Sequence, residues 1–299
     1  MIRKHIPTFL VLAVHAGAIA APFFFSRRLL VAALVSYLVQ MFVITAGYHR
    51  YFSHRAFKTS RAFQLVLAWL GTSTMQNGPL WWASWHRWHH RWSDTDRDAH
   101  SPIRRGFWYA HIGWVMDGTH DEPPLENLRD FTRYPELRFI DRHRWLPVVT
   151  FAVATFAIGG LGALLWVFAL ATTLSFHATL FINSLSHGRG RRPYETGDMS
   201  RNSMLLALIT LGEGWHNNHH RYMSCARQGF MWWEVDVTFY LLKLLSYSGL
   251  VRGLRPVPAG YVATRDAAAD PERARDQSRR AGESRTPPAP AATADTIPT

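Results

Sequence analysis

Nine histidines fall in four short clusters along the chain. His49 and His54 lie in H-R-Y-F-S-H, and His86, His89 and His90 in H-R-W-H-H. His187 follows Asn183 in N-S-L-S-H, and His216, His219 and His220 lie in H-N-N-H-H. On a helix, positions three and four apart share a face. Each H-x-x-H-H is therefore expected to present three imidazoles to one point, as half of a metal site. The first box is spaced by five, about 140° off on a regular helix, so it calls for a frayed helix end or a π-bulge. Imidazole suits iron, zinc and copper alike. A catalytic zinc typically takes three protein ligands, whereas nine histidines suit two metals with about four or five ligands each. Two irons could store the redox equivalents that oxygen activation demands. A ligating histidine donates its other ring nitrogen to a carboxylate or carbonyl, for which Asp94, Asp96, Asp98, Asp198 and Glu213 are the candidates. His5, His15, His111, His143 and His177 read as helix-surface or satisfied core residues.

Four uncharged runs must hold these clusters. Residues 6–25 and 29–47 are apolar and uncharged, and twenty helical residues cover roughly 30 Å, the thickness of a bilayer core. Leu146 to Asn183 is a 38-residue uncharged stretch, interrupted at Gly159-Gly160-Leu161-Gly162. It divides into expected spans 146–163 and 164–183. Ala62 to Trp85 is also uncharged but carries Gln76, Asn77, Gly78 and Pro79. It reads as interfacial or re-entrant, because a crossing there would put the first two histidine boxes on opposite faces. The expected fold is all-α and integral to a membrane, with four transmembrane helices and a cytosolic helical cap carrying the histidines. Most Lys and Arg lie in 49–145 and 184–299, which by the positive-inside bias face the cytoplasm; Arg27-Arg28 runs against that rule. Residues 1–262 form the membrane domain, and 263–299, rich in Ala, Pro, Arg, Asp and Thr, read as a disordered tail.

Thirteen tryptophans and a net charge of +12 accompany these runs. Anionic headgroups or an acidic protein partner account for that charge; no nucleic-acid motif appears. The single Cys225 excludes an internal disulfide, a four-cysteine iron-sulfur cluster and a cysteine-rich zinc site.

The boxes, their order and their intervals resemble the membrane fatty-acyl desaturases of the stearoyl-CoA desaturase type. The likeness covers about residues 40 to 245, including T-D-R-D-A-H-S-P-I-R-R-G-F-W-Y-A-H-I-G-W from Thr95 to Trp114, and G-E-G-W-H-N-N-H-H. It implies a non-haem di-iron centre bound by the nine histidines, with Asn183 approaching one iron through a water and O2 as co-substrate. It further implies that Gln76, Trp82 and Thr179 line the bend of a narrow acyl tunnel, with Asn77 also on the substrate. A methylene chain offers no polar handle, so selectivity must come from depth and shape. The implied reaction is a cis double bond, at C9–C10, in a saturated acyl chain, with O2 reduced to two waters. Animal members carry an Arg-Asp pair and an Arg-Lys pair at the coenzyme A headgroup where this chain has Ser84-Trp85 and Gly118-Thr119. The carrier is thus acyl-CoA, acyl carrier protein or a membrane-lipid ester. The compact third-box region is of the bacterial type, which implies a bacterial inner membrane with the site facing the cytoplasm.

No G-x-G-x-x-G fingerprint and no cytochrome-b5-like haem segment is present, so electrons must come from outside. A ferredoxin, or cytochrome b5 with its reductase, fits a basic face. Three rival readings exist. A di-iron lipid or alkyl hydroxylase would leave oxygen in the product. A zinc-dependent membrane hydrolase would need neither oxygen nor reductant. A transporter would carry its polar groups inside the spans rather than beyond them.

Overall fold

In the computed structural model, which describes residues 8–261, the apolar runs become helices whose ends fall at residues able to break them. Helix α1 (Thr8–Ala20) runs into a 3-10 turn, Ala21–Phe24. Ser26 then caps α2 (Arg27–Phe42) by accepting the Leu29 N–H at 3.1 Å. The chain continues without interruption into a π-helix, Val43–Ser53. Phe9, Ile19, Phe23 and Ile158 are all more than half exposed, an outward apolar surface that suits lipid rather than water. Among the described residues, Arg27–Ser53 and Trp145–Leu185 are long and apolar enough to cross a membrane, and Thr8–Phe24 is apolar but shorter.

The second of these is not one rod. Helix α6 (Trp145–Ala163) is broken at Gly159 (φ −136°) and Gly160 (φ 64°, ψ −159°). Gly160 sits in a conformation that only glycine adopts at little cost. The break thus falls inside the Gly159-Gly160-Leu161-Gly162 interruption expected as the turn, a few residues ahead of the approximate division at 163/164. Ala163 and Leu164 keep helical angles and enter a π-helical stretch, Leu164–Leu170, ahead of α7 (Ala171–Leu185).

The 62–85 region is two helices, α3 (Arg61–Ser73) and α4 (Pro79–Trp92). Their connection reverses through positive φ at Met75 and Asn77, both 64°. Pro79 opens α4, where it loses no hydrogen bond. Asp141, in α5 (Pro135–Arg142), accepts the Leu80 and Trp81 N–H groups at 3.1 and 3.0 Å. A Cβ on Gly78 would collide with Asp141, so the approach that caps α4 requires glycine there.

Packed on the π-helix is the largest core cluster, in which Tyr48, Phe52, Leu67, Leu80, Leu137, Ile140 and Leu242 are buried. Leu242 comes from the helix Val237–Tyr247. The only sheet among the described residues pairs Lys58–Thr59 with Val251–Arg252, antiparallel. The described residues up to Ala259 form one compact unit. The tail expected over 263–299, and the start of the first run at residue 6, lie outside the described residues.

Candidate metal centre

The five-residue spacing of the first box is resolved by the π-helix. A π turn places residues i and i+5 above one another. The His54 N–H donates to the His49 carbonyl at 3.3 Å, and the two rings stand 4.9 Å apart. Sequence spacing alone thus carried a local backbone irregularity that serves the site.

The two H-x-x-H-H triples do not each converge on one point. His49, His54, His86, His90 and His219 form one group, and His89, His187, His216 and His220 a second. This corrects the expectation of one half-site per triple. On α4, His86 and His90 are one turn apart and nearly eclipsed, whereas His89 is rotated to the other side of that line. The short helix His216–Arg221 repeats the division: His216 and His220 join the second group and His219 the first. Each triple therefore straddles both groups, which ties the pair together rigidly.

Inside the first group the Nε2 atoms stand 2.8 to 3.0 Å apart: His54 to His86, His90 to His86, His219 to His90, and His49 to His219. In the second, the Nε2 atoms of His187 and His216 are 3.0 Å apart. These spacings bring the ring nitrogens of each group within reach of a single ion. The buried Nε2 of His220 has no hydrogen-bond partner, as a nitrogen reserved for a metal would not.

Carboxylates hold the outward nitrogens. His187 Nδ1 meets Asp94 at 2.8 Å, His89 Nδ1 meets Asp98 at 3.0 Å, His220 Nδ1 meets Asp198 at 2.6 Å, and His49 Nδ1 pairs with Glu213. An Nδ1–H donated to a carboxylate leaves the Nε2 lone pair facing inward. Asp96 takes no such part; its exposed side chain lies near Arg104. Burial pushes His54, His86, His90, His216 and His219 well below the ordinary imidazole range, and His220 down to about 4. His89 moves up instead: burial opposes its charge, but the Asp98 carboxylate outweighs it.

A pH dependence follows. In the unfolded chain these imidazoles take up protons near pH 6.5, whereas in the fold they do not, so the unfolded state binds more protons below that pH. Stability of metal-free protein should thus fall as pH drops below about 6.5 and keep falling towards the lowered folded values. Thermal unfolding in detergent should give a lower midpoint at about pH 5.5 than at about pH 7.5; a flat profile would contradict neutral, buried imidazoles.

Two narrow cavities meet over the histidines. One is lined by Gln76, Asn77, Trp82, His86, Thr179 and Asn183, among others. The second shares Trp82, His86, Thr179 and Asn183 and runs on to Met41, Ile44 and Thr45. Gln76 donates to the Thr179 hydroxyl at 3.0 Å, and Trp82 stacks on His86 at 4.9 Å. Gln76, Trp82 and Thr179, the three residues expected at a tunnel bend, line the first cavity together with Asn77 and Asn183.

Sequence reasoning missed Arg50, Gln228 and Asp236. Arg50 is buried between Glu213 and Asp236, and Gln228 Nε2 lies 3.3 and 3.4 Å from the Nδ1 atoms of His49 and His219. Arg50 could have been flagged as a charge at the end of an apolar run; Gln228 carries no signal in the sequence. Three non-box histidines form a hydrogen-bonded series, His15 to His177 to His111, with the last on Ser184, in keeping with satisfied core residues.

A helical scaffold that gathers nine imidazoles, buried or half-buried, into groups of five and four beside two adjoining cavities defines a histidine-rich protein whose clusters are compatible with metal binding. Sequence comparison narrows that class. The profile of the fatty acid desaturase family matches residues 27–245. An acyl-CoA 5-desaturase of Anemone leveillei is 38% identical over 82% of this chain and 78% of its own length. A delta-9 acyl-lipid desaturase of Arabidopsis thaliana is 36% identical over 84% and 83%. A chloroplastic palmitoyl-monogalactosyldiacylglycerol delta-7 desaturase of the same plant is 36% identical over 82% and 67%. The chain belongs to the fatty acid desaturase family, and is an oxidoreductase of the kind that introduces double bonds into fatty acyl chains with O2. These relatives are plant proteins and lend no support to a bacterial inner membrane.

Proposed function

We propose that this protein introduces a cis double bond into a saturated acyl chain, at C9–C10, the chain being carried on coenzyme A or as a lipid ester. The observation that carries this reading is the pair of cavities that share Trp82, His86, Thr179 and Asn183 and between them touch both histidine groups. The balance is one O2, two electrons and two protons for each pair of hydrogens removed, giving one alkene and two waters. The nine histidines would hold two irons, with Asn183 as a further contact made through a water. O2-dependent desaturation calls for a redox-active metal, which favours iron over redox-inert zinc. When bound, the irons supply oxygen activation and hydrogen abstraction. The protein's own work is positional. Asp94, Asp98, Asp198 and Glu213 fix the imidazoles, Trp82 packs the chain against His86, and the apolar wall at Met41 and Ile44 keeps water from the reacting carbons.

Electrons arrive from an external carrier such as a ferredoxin or cytochrome b5, drawn to the basic face. Four crossings, with Gly159–Gly160 as the far turn, leave both halves of the histidine site on the cytoplasmic side. The C9–C10 position rests on the resemblance of the boxes, since the relatives named above act at delta-5, delta-7 and delta-9. Expression in a host, with lipid analysis by gas chromatography and mass spectrometry and iron content of the purified protein, tests the reading. New cis-monounsaturated chains with two irons per chain support it, and hydroxylated lipids or zinc under iron-replete growth overturn it.

Trp82 and Thr179 give a finer test. Thr179→Val keeps the shape of the wall but removes the hydroxyl that receives Gln76. Turnover should fall about tenfold and the double bond should scatter to neighbouring positions, because a small misplacement of a reacting carbon is costly. An unchanged product profile would remove the Gln76–Thr179 pair from the bend.

A further inference from the structure

We propose that His100 and Trp114 form a polar subsite that takes the carbonyl oxygen of the acyl ester or thioester, and so set the distance from that carbonyl to the carbons that react. The inference rests on the desaturase reading above. Both residues line the first cavity, at the part not shared with the Met41 and Ile44 end. Their rings stand 4.8 Å apart.

Several polar groups of that cavity are already engaged. Gln76 binds Thr179, and the indole N–H groups of Trp81 and Trp85 both donate to the His120 carbonyl, at 2.8 and 2.9 Å. The Nε1 of Trp114 and the Nδ1 of His100 are buried with no hydrogen-bond partner. His100 Nδ1 lies 4.0 Å from Asp98, beyond hydrogen-bond reach. The residues are only 6% and 5% exposed. Buried donors left unpaired cost about 1–3 kcal/mol each, so two side by side in one cavity wall point to a ligand that pairs them.

The ligand chemistry follows from the donors. Indole N–H can only donate, and imidazole Nδ1 donates when its proton is there, so the pair suits a single acceptor oxygen. Of an acyl substrate's atoms, the carbonyl oxygen is the one acceptor that every carrier shares. Asn77 Oδ1, buried and unpartnered in the same cavity, offers an acceptor to the next polar group of the carrier.

Trp114→Phe is the sharpest test, because it removes the donor and keeps the stacking on Trp81 at 5.6 Å. Saturated substrates of several chain lengths are supplied to wild type and variant, and double-bond positions, KM and kcat are read. Wild type should hold one position counted from the carboxyl end at every chain length. Trp114→Phe should spread the product over neighbouring positions and raise KM about three- to tenfold, the worth of one hydrogen bond, with iron content unchanged. His100→Phe should do the same and His100→Gln should restore much of the selectivity, which guards against misfolding of one variant. An unchanged position and KM in Trp114→Phe and His100→Phe, or a wild-type position counted from the methyl end, overturns the subsite. A wild type that forms no double bond fails the proposed function itself, and the subsite falls with it.

Discussion

His219→Ala is expected to abolish double-bond formation and to lower the iron content from two to one per chain, while the helices still insert. His219 is the single residue by which the third box reaches the five-histidine group. Its Nε2 stands 3.0 Å from that of His49 and 2.9 Å from that of His90, and its ring is 4.6 Å from that of His54. Alanine removes one corner of the group and leaves a void among the remaining four imidazoles. The other group keeps His216 and His220 from the same short helix, so its ion should remain. A reaction that needs two electrons stored at once should lose at least about a thousandfold in rate, about 4 kcal/mol of barrier. His143, exposed and bonded to the Phe139 carbonyl, supplies the control: His143→Ala should leave turnover and iron unchanged. Turnover with both irons retained in His219→Ala would remove the third box from the first group.

Much of this site was legible because its chemistry is local. The boxes are short, and a five-residue interval has few helical solutions, so a π turn at His49–His54 could be anticipated from angles alone. The carboxylate at Asp98 was legible for the same reason, being nine residues from the His89 it holds, whereas Asp94 lies beside the second box in sequence but holds His187 across the fold. Asp96 was not separable from them in the sequence, since which of three alternate aspartates turns inward depends on the turn that the Asp98 side chain closes by accepting the Asp94 N–H at 2.9 Å. The division of each H-x-x-H-H between two groups was missed for a physical reason. Helical spacing says which residues share a face, but not whether one or two partner helices cross it. By contrast the uncharged 146–183 run announced its own interruption, because the glycines at 159 to 162 mark where the chain can leave the helix, and Gly160 does so at positive φ. His100, Trp114 and Gln228 had no sequence signal, because their meaning lies in what they meet, or do not meet, across the fold.

Arg50 belongs to that last kind, and its replacement should be the most damaging change that touches no metal ligand. Its guanidinium, 1% exposed, donates to the Ala226 carbonyl at 2.7 Å and meets Glu213 at 3.2 Å and Asp236 at 2.9 Å. Those two acids have separate duties. Glu213 holds His49, and Asp236 caps the Val237–Tyr247 helix at the Phe239 N–H, 3.0 Å away, while accepting the Gln228 N–H at 2.7 Å. Arg50→Met keeps the length of the side chain and leaves two buried carboxylates without their cation. Breaking such a buried pair costs about 3–5 kcal/mol, far more than an exposed pair is worth. Arg50→Lys should recover only part, since one ammonium cannot span two carboxylates as a fork does. Loosening Glu213 also frees His49 to rotate, so turnover should drop about 10- to 100-fold even in the fraction that stays folded. Adding Glu213→Gln to Arg50→Met should return some thermal stability, because one uncompensated charge is gone, but no activity, because His49 still lacks its carboxylate. The readings are the thermal midpoint in detergent, bound iron and turnover. A midpoint equal to wild type in Arg50→Met would mean that the two acids find other partners and that the first box does not depend on this ion cluster.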